Sequence, residues 1–327
     1  MPSSSFVSRL ISRAEFGPLV LLIVEMVVFT SLSPAFLSVG NISNLLAFTP
    51  ELGMITLAMT LLMTSGEFDL SVGSVFGFAP VVMWTIYNTG ASSLAVGFLI
   101  AMVLAVVIGL ANGWFVTKLK IPSFLVTLGM LLVVRGTSLY ITDGFPQRTW
   151  TASEPLMKIL VGEFTIGELK IYTSLLWFIL FAIVLGYVLT KSKAGNWIQA
   201  SGGNAVSASA RGVRVTRTKV SLFVLTAVMA AYAGITSSIR VSTANPNSGT
   251  GYELEVIAMV VIGGTALNGG RGTIVGTVLG VLILRMMRNG IVLAGVPGLA
   301  YNIFIGAIIL GMMSLHSWLE RRHHAGT

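Results

Sequence analysis

The sequence has 327 residues, of which 54% are hydrophobic and only 10% charged, against about 25% charged in an ordinary soluble domain. Such a surplus of apolar side chains needs a solvent other than water, and the lack of cysteine excludes disulfide frameworks, thiolate nucleophiles and cysteine-based metal sites. The formal net charge of +8 raises nucleic acid as a partner, but in a membrane protein a basic excess is first explained by loops kept in the cytoplasm.

Ten apolar stretches approach the roughly 20 residues that a helix needs to cross the hydrocarbon layer. They are 16–37, 45–65, 70–88, 93–117, 121–141, 172–190, 219–240, 253–267, 272–290 and 297–316. They predict an all-α polytopic membrane protein of about ten transmembrane helices, some of them short or broken. The expected layout is a cytoplasmic segment 1–15, one transmembrane domain 16–316 with a large inner loop 191–219, and a cytoplasmic tail 317–327.

Arg9 and Arg13 precede the first stretch as they would in a signal peptide, but the run is too long and no small-residue cleavage pattern follows, so it reads as a retained span. Glu25, Glu51 and Asn112 lie within spans, where polar groups need a partner, and a helix-to-helix hydrogen bond from a protonated glutamate is expected for the two acids. The turn Gly66-Glu67-Phe68-Asp69 carries two acids and no base, which suits a helix break inside the bundle better than a cytoplasmic loop. Two readings of Asp69, Ser71 and Ser74 stay open: they cap the third span, or they line a path and bind hydroxyl groups.

A longer segment between the fifth and sixth spans mixes Arg148, Lys158 and Lys170 with Asp143, Glu154, Glu163 and Glu168. The next loop, Lys191 to Lys219, holds six basic residues and no acid. Within it, Asn204 is placed to cap a short helix over 205–211 and Gly212 to end it in the left-handed conformation. Its small Ala and Ser side chains suit a partner's groove or a simple amphipathic connector. Asn245-Pro246-Asn247-Ser248-Gly249 has the residue types of an outside turn, with Tyr252, Glu253 and Glu255 near a cavity mouth. Gly263, Gly264, Gly269 and Gly270 make the eighth span a broken or half-crossing helix. Gly272, Gly276 and Gly280 allow close helix approach, within one subunit or at a dimer seam. His316, His323 and His324 read as solvated residues rather than metal ligands.

With the N-terminus inside, thirteen of the twenty Lys and Arg residues fall on inner segments and three on the outer one, so both termini are expected in the cytoplasm. Trp84, Tyr87, Tyr140 and Tyr172 are expected as outer interfacial anchors, and Trp114, Tyr187 and Trp318 as inner ones. The remaining cations, Arg135, Arg240, Arg285 and Arg288, fall toward the outer ends of spans.

At this point the residues resemble a known family. Gly202-Gly203-Asn204, the run through Ala208 and Arg211-Gly212-Val213 are similar to the coupling helix of ribose-type ABC sugar permeases. Gly66 to Ser74 resembles the family's GG-I-DLSVGS element, with Glu67 and Phe68 departing from it, and Arg135-Gly136 is similar to its RG pair. The run from Gly249-Thr250-Gly251-Tyr252-Glu253-Leu254 through Val261-Ile262-Gly263-Gly264-Thr265 to Gly270-Arg271-Gly272-Thr273 resembles the family signature almost throughout.

The resemblance implies a multi-pass permease of the bacterial inner membrane that imports a sugar, a pentose or hexose before others, by alternating access. It implies a second permease copy, two cytoplasmic ABC ATPase subunits or one tandem ATPase that use ATP and Mg, and a periplasmic or lipid-anchored sugar-binding protein. Coupling to the ATPase would fall to Gly202, Gly203, Asn204, Ala208, Arg211 and Gly212. A substrate pathway would take in Asp69, Ser71, Ser74, Asn112, Arg135, Tyr252 and Glu253. The outer arginines, Arg240, Arg285 and Arg288 with Arg135, would form a basic rim that docks the binding protein, or would snorkel to headgroups. Arg285 and Arg288 stand where the family has small or polar residues. No G-x-x-x-x-G-K-[ST] phosphate loop is present, so no cofactor is expected on this chain, and no enzyme activity either. A secondary transporter remains the main rival, although paired charges and two similar halves are not evident.

Overall fold

In the computed structural model, which describes residues 15–149, 154–301, 303–307 and 310–311, every predicted apolar stretch carries helix. Hydrocarbon enforces this, because backbone polar groups there must be satisfied within their own segment. In chain order the helices are α1 (Phe16–Leu32), α2 (Val39–Thr64), α3 (Val72–Asn88), α4 (Leu94–Lys118) and α5 (Ser123–Thr142). They continue with α6 (Pro155–Val161), α7 (Thr173–Lys191), α8 (Lys193–Gly203), α9 (Ala205–Ala210), α10 (Val215–Arg240), α11 (Tyr252–Ile262) and α12 (Ile274–Leu293). Among the described residues, six helices are long and apolar enough to cross a membrane: α2, α4, α5, α7, α10 and α12. α1 and α3 are apolar but shorter, at 17 residues each. α11 has 11 residues, the broken element that the surrounding glycines predicted. Arg9, Arg13, His316, Trp318, Arg321, Arg322, His323, His324 and the tail 317–327 lie outside the described residues.

α2 and α10 form the centre. α10 packs against α2, α3 and α4, while α2 also meets α7, α11 and α12. α4, α5 and α7 stand outside them and turn Leu99, Val103, Leu132, Val133 and Ile183 outward, the apolar surface that lipid requires. α2 starts six residues before the predicted 45, because Ser38 accepts from the backbone of Asn41 and caps it. Its C-terminal half carries a threonine stripe in which Thr56, Thr60 and Thr64 each bond the carbonyl four residues back. Thr60 also meets Thr277 of α12 at 2.6 Å, a polar tie between two helices that gain little from apolar contact in lipid. A Cβ at Gly276 or Gly280 would strike the carbonyl oxygens of Gly263 and Met259, so these glycines serve the α11–α12 approach within one chain.

Several expectations need correction. Trp84 is not an interfacial anchor: it is fully buried and donates from Nε1 to Ser238 at 3.2 Å. Tyr140, Tyr187 and Trp114 are exposed, as anchors would be. The acidic turn at Glu67 does have a base, supplied at 2.5 Å by Lys219, the fifth residue of α10. Asn245–Gly249 is no plain outside turn, since Pro246 and Gly249 are buried against α3. The segment between α5 and α7 contains α6 and a hairpin, β2 (Glu163–Ile166) with β3 (Leu169–Tyr172). Before it, β1 (Gln147–Arg148) pairs with β4 (Thr243–Ala244) and ties this segment to the end of α10.

Candidate functional site

The segment after α7 folds as α8 and α9. Asn204 caps α9 by accepting from the backbone N–H of Ser207 at 2.9 Å, and Gly212 takes φ +84°, which only glycine adopts freely. Ser207, Ser209 and Arg211 are exposed and so is Val206, at 82%, a side chain that the Ala/Ser reading overlooked. Ala208 does not belong to this face; it is buried beneath it. Gly202 sits deeper, where a Cβ would strike the Thr64 carbonyl at the end of α2 and the Gly270 backbone after α11. The Gly270 N–H donates to that same Thr64 carbonyl at 2.8 Å. Gly66, Gly202 and Gly269 therefore bring three chain segments into backbone contact at the C-terminal end of α8, just before the Asn204 cap of α9.

Asp69, Ser71 and Asn112 come together, but as a buried network rather than a lined path. Asp69 Oδ1 accepts from the Ser71 N–H at 2.9 Å and the Ser71 hydroxyl at 2.5 Å, and Oδ2 accepts from Thr226 at 2.8 Å. Asn112 donates to the Ser71 hydroxyl at 3.0 Å. All three are fully buried, as is Ser74, which bonds the Ser71 carbonyl. The carboxylate folds the turn that leads into α3 and ties it to α10, although no side chain bonds the N–H groups of the helix's own first turn.

Arg135 does not stand with the other arginines. Its Nη1 donates to the carbonyls of Pro246 at 2.5 Å and Ser248 at 2.8 Å, and Nη2 to Gly73 at 3.2 Å. It straps the Asn245–Gly249 segment onto α3. Glu253, in the first turn of α11, accepts from the Gly251 N–H at 3.2 Å.

Arg240, Arg285 and Arg288 do come together. They line one cavity of about 630 Å³ between α2, α10, α11 and α12, together with Glu51 and Tyr252. Arg240 donates from Nε to Glu51 Oε1 at 2.8 Å and also from Nη2, with its guanidinium stacked on Phe48. Glu51 thus accepts from Arg240 in an ion pair, rather than donating the helix-to-helix hydrogen bond expected of it. Arg288 is half exposed, lies 4.0 Å from Glu255 and covers the Tyr301 ring. Paired charges inside the bundle therefore exist, contrary to expectation. Glu51 was findable as an acid in an apolar helix. Phe48, Asn44 and Asn289, which also line the cavity, carried no signal of their own.

Long apolar helices around a polar cavity, with a half-length helix beside it, define a polytopic membrane transport protein. The chain belongs to the permease family described as "branched-chain amino acid transport system / permease component", whose model matches residues 41–313. It is 34% identical over 298 residues to the ribose import permease protein of Escherichia coli, covering 90% of this chain and 91% of that one. It is 31% identical over 320 residues to the xylose/arabinose import permease protein of Sulfolobus acidocaldarius, covering 96% and 87%. It is 32% identical over 293 residues to the L-arabinose ABC transporter permease protein of Azospirillum brasilense, covering 89% and 84%. No solved structure matches the chain. It is a multi-pass inner-membrane permease of the ABC-importer kind.

Proposed function

We propose that the chain is the transmembrane subunit of an ATP-driven importer of a sugar, a pentose or hexose, and that it forms the pathway by alternating access. In this reading two copies pair, both termini face the cytoplasm and ten segments enter the membrane. ATP and Mg are used by two cytoplasmic ATPase subunits or one tandem ATPase, and a sugar-binding protein delivers cargo from outside. The relatives named for ribose, xylose and arabinose support a sugar.

One observation carries the mechanism. The glycine junction at the end of α8, two residues before α9 is capped, joins the proposed coupling segment to the end of α2 and to the loop between α11 and α12. Those same three helices supply Glu51, Tyr252 and Arg285 to the cavity. A stroke delivered to the exposed face of α9, at Val206, Ser209 and Arg211, passes through backbone contacts to the cavity walls. Gly203 provides the test, because a Cβ there meets nothing within 4 Å. Gly203→Trp is expected to leave the protein inserted and bound to its ATPase while uptake falls about tenfold or more, since a bulky side chain at a close-packed interface misplaces the partner. Parallel assays of ATP hydrolysis and sugar uptake by the variant complex read this, and undiminished uptake removes the coupling role. Gly212 is a poorer probe, as its left-handed φ strains any replacement.

A further inference from the structure

The cavity charges do not balance. Arg240, Arg285 and Arg288 line it, and the two carboxylates within reach, Glu51 and Glu255, are both engaged. Glu51 holds Arg240, while Glu255 accepts from the Tyr301 hydroxyl at 2.8 Å and lies 4.0 Å from Arg288. Arg285 is left over. It is only 6% exposed, and its buried Nε and Nη2 have no hydrogen-bond partner among the described residues. A guanidinium is always charged, and one held out of water without a counter-ion is costly unless something anionic arrives to meet it.

We propose that this cavity takes an anionic sugar, a monosaccharide carrying a carboxylate or phosphate, with Arg285 as the group that binds the anion. The proposal rests on reading the chain as a sugar permease. A volume of about 630 Å³ has ample room for a monosaccharide. Around Arg285 the remaining wall has what a sugar needs. Ser237 and Tyr252 offer hydroxyls, and Phe76, edge-on to Tyr252 at 5.1 Å, offers an aromatic face. The fork of donors on a guanidinium matches a carboxylate or phosphate, whereas a neutral sugar would leave the excess charge unanswered.

The test uses the full chain with its ATPase partner in phosphatidylcholine nanodiscs, where no anionic headgroup competes. Calorimetric titration with galacturonate, galactose 6-phosphate and neutral galactose should show at least one anionic form binding about tenfold or more tighter than galactose. Arg285→Gln should reduce that preference to about twofold or less, and Arg285→Lys should restore part of it. Equal binding of all three sugars would overturn the proposal. So would a preference that survives in Arg285→Gln, or the loss of binding in phosphatidylglycerol nanodiscs, which would give the site to a lipid headgroup. The two readings fail separately: ATP-driven uptake of neutral sugar with no anion preference rejects this inference alone, whereas no ATP-driven sugar uptake of any kind rejects the transporter reading.

Discussion

Arg240→Ala is expected to destabilise the protein by about 3–5 kcal/mol, the cost of leaving a buried carboxylate without its counter-charge. The Glu51 side chain is 5% exposed and Arg240 10%, and the pair joins the first half of α2 to the last turn of α10. Arg288 lies against Glu255 and Tyr301, so of the cavity's other two arginines Arg285 alone is unengaged, and it makes no ion pair with Glu51. The double variant Glu51→Gln with Arg240→Met should recover more than half of the loss, because it removes both charges and keeps most of the volume. Thermal unfolding of the purified protein in detergent, run as a double-mutant cycle, measures this. Equal stability of Arg240→Ala and the wild type would mean that the pair is not a structural tie.

Asp69→Ala should cost about 3 kcal/mol or more, since it strands the Ser71 N–H, the Ser71 hydroxyl and the Thr226 hydroxyl in a fully buried place. Asp69→Asn keeps one acceptor oxygen and should lose about half as much. The same unfolding measurement, paired with an uptake assay, separates the two roles that the sequence allowed. A variant that is as stable as wild type but fails to transport would return Asp69 to the substrate path.

The legible part of the fold was whatever depends on depth in the membrane. Apolar runs had to become helices, and glycines around 263–270 had to interrupt one, because the bilayer tolerates few other solutions. The cap at Asn204 and the left-handed Gly212 were legible for a similar reason, being settled within a few residues of chain. Pairing across the bundle was not. Glu51 and Arg240 are 189 residues apart, and composition gives each a depth but not a direction around its helix. Arg135 and Arg240 thus looked alike in sequence, yet one straps a loop to α3 and the other neutralises an acid. Trp84 misled because an indole suits both an interface and a core, and only the Ser238 hydroxyl, brought close by α10, decided for the core. Ala208 misled because every small residue of a six-residue helix reads as surface until its neighbours α8 and α10 are known.

The central claim is that this chain moves a sugar only when separate ATP-hydrolysing subunits drive it. Uptake of radiolabelled sugar into liposomes holding the purified chain, with and without its ATPase subunits, binding protein and ATP, tests that claim most directly. The account predicts accumulation only in the complete, ATP-supplied system, whereas accumulation by the chain alone, driven by an ion gradient, would contradict it.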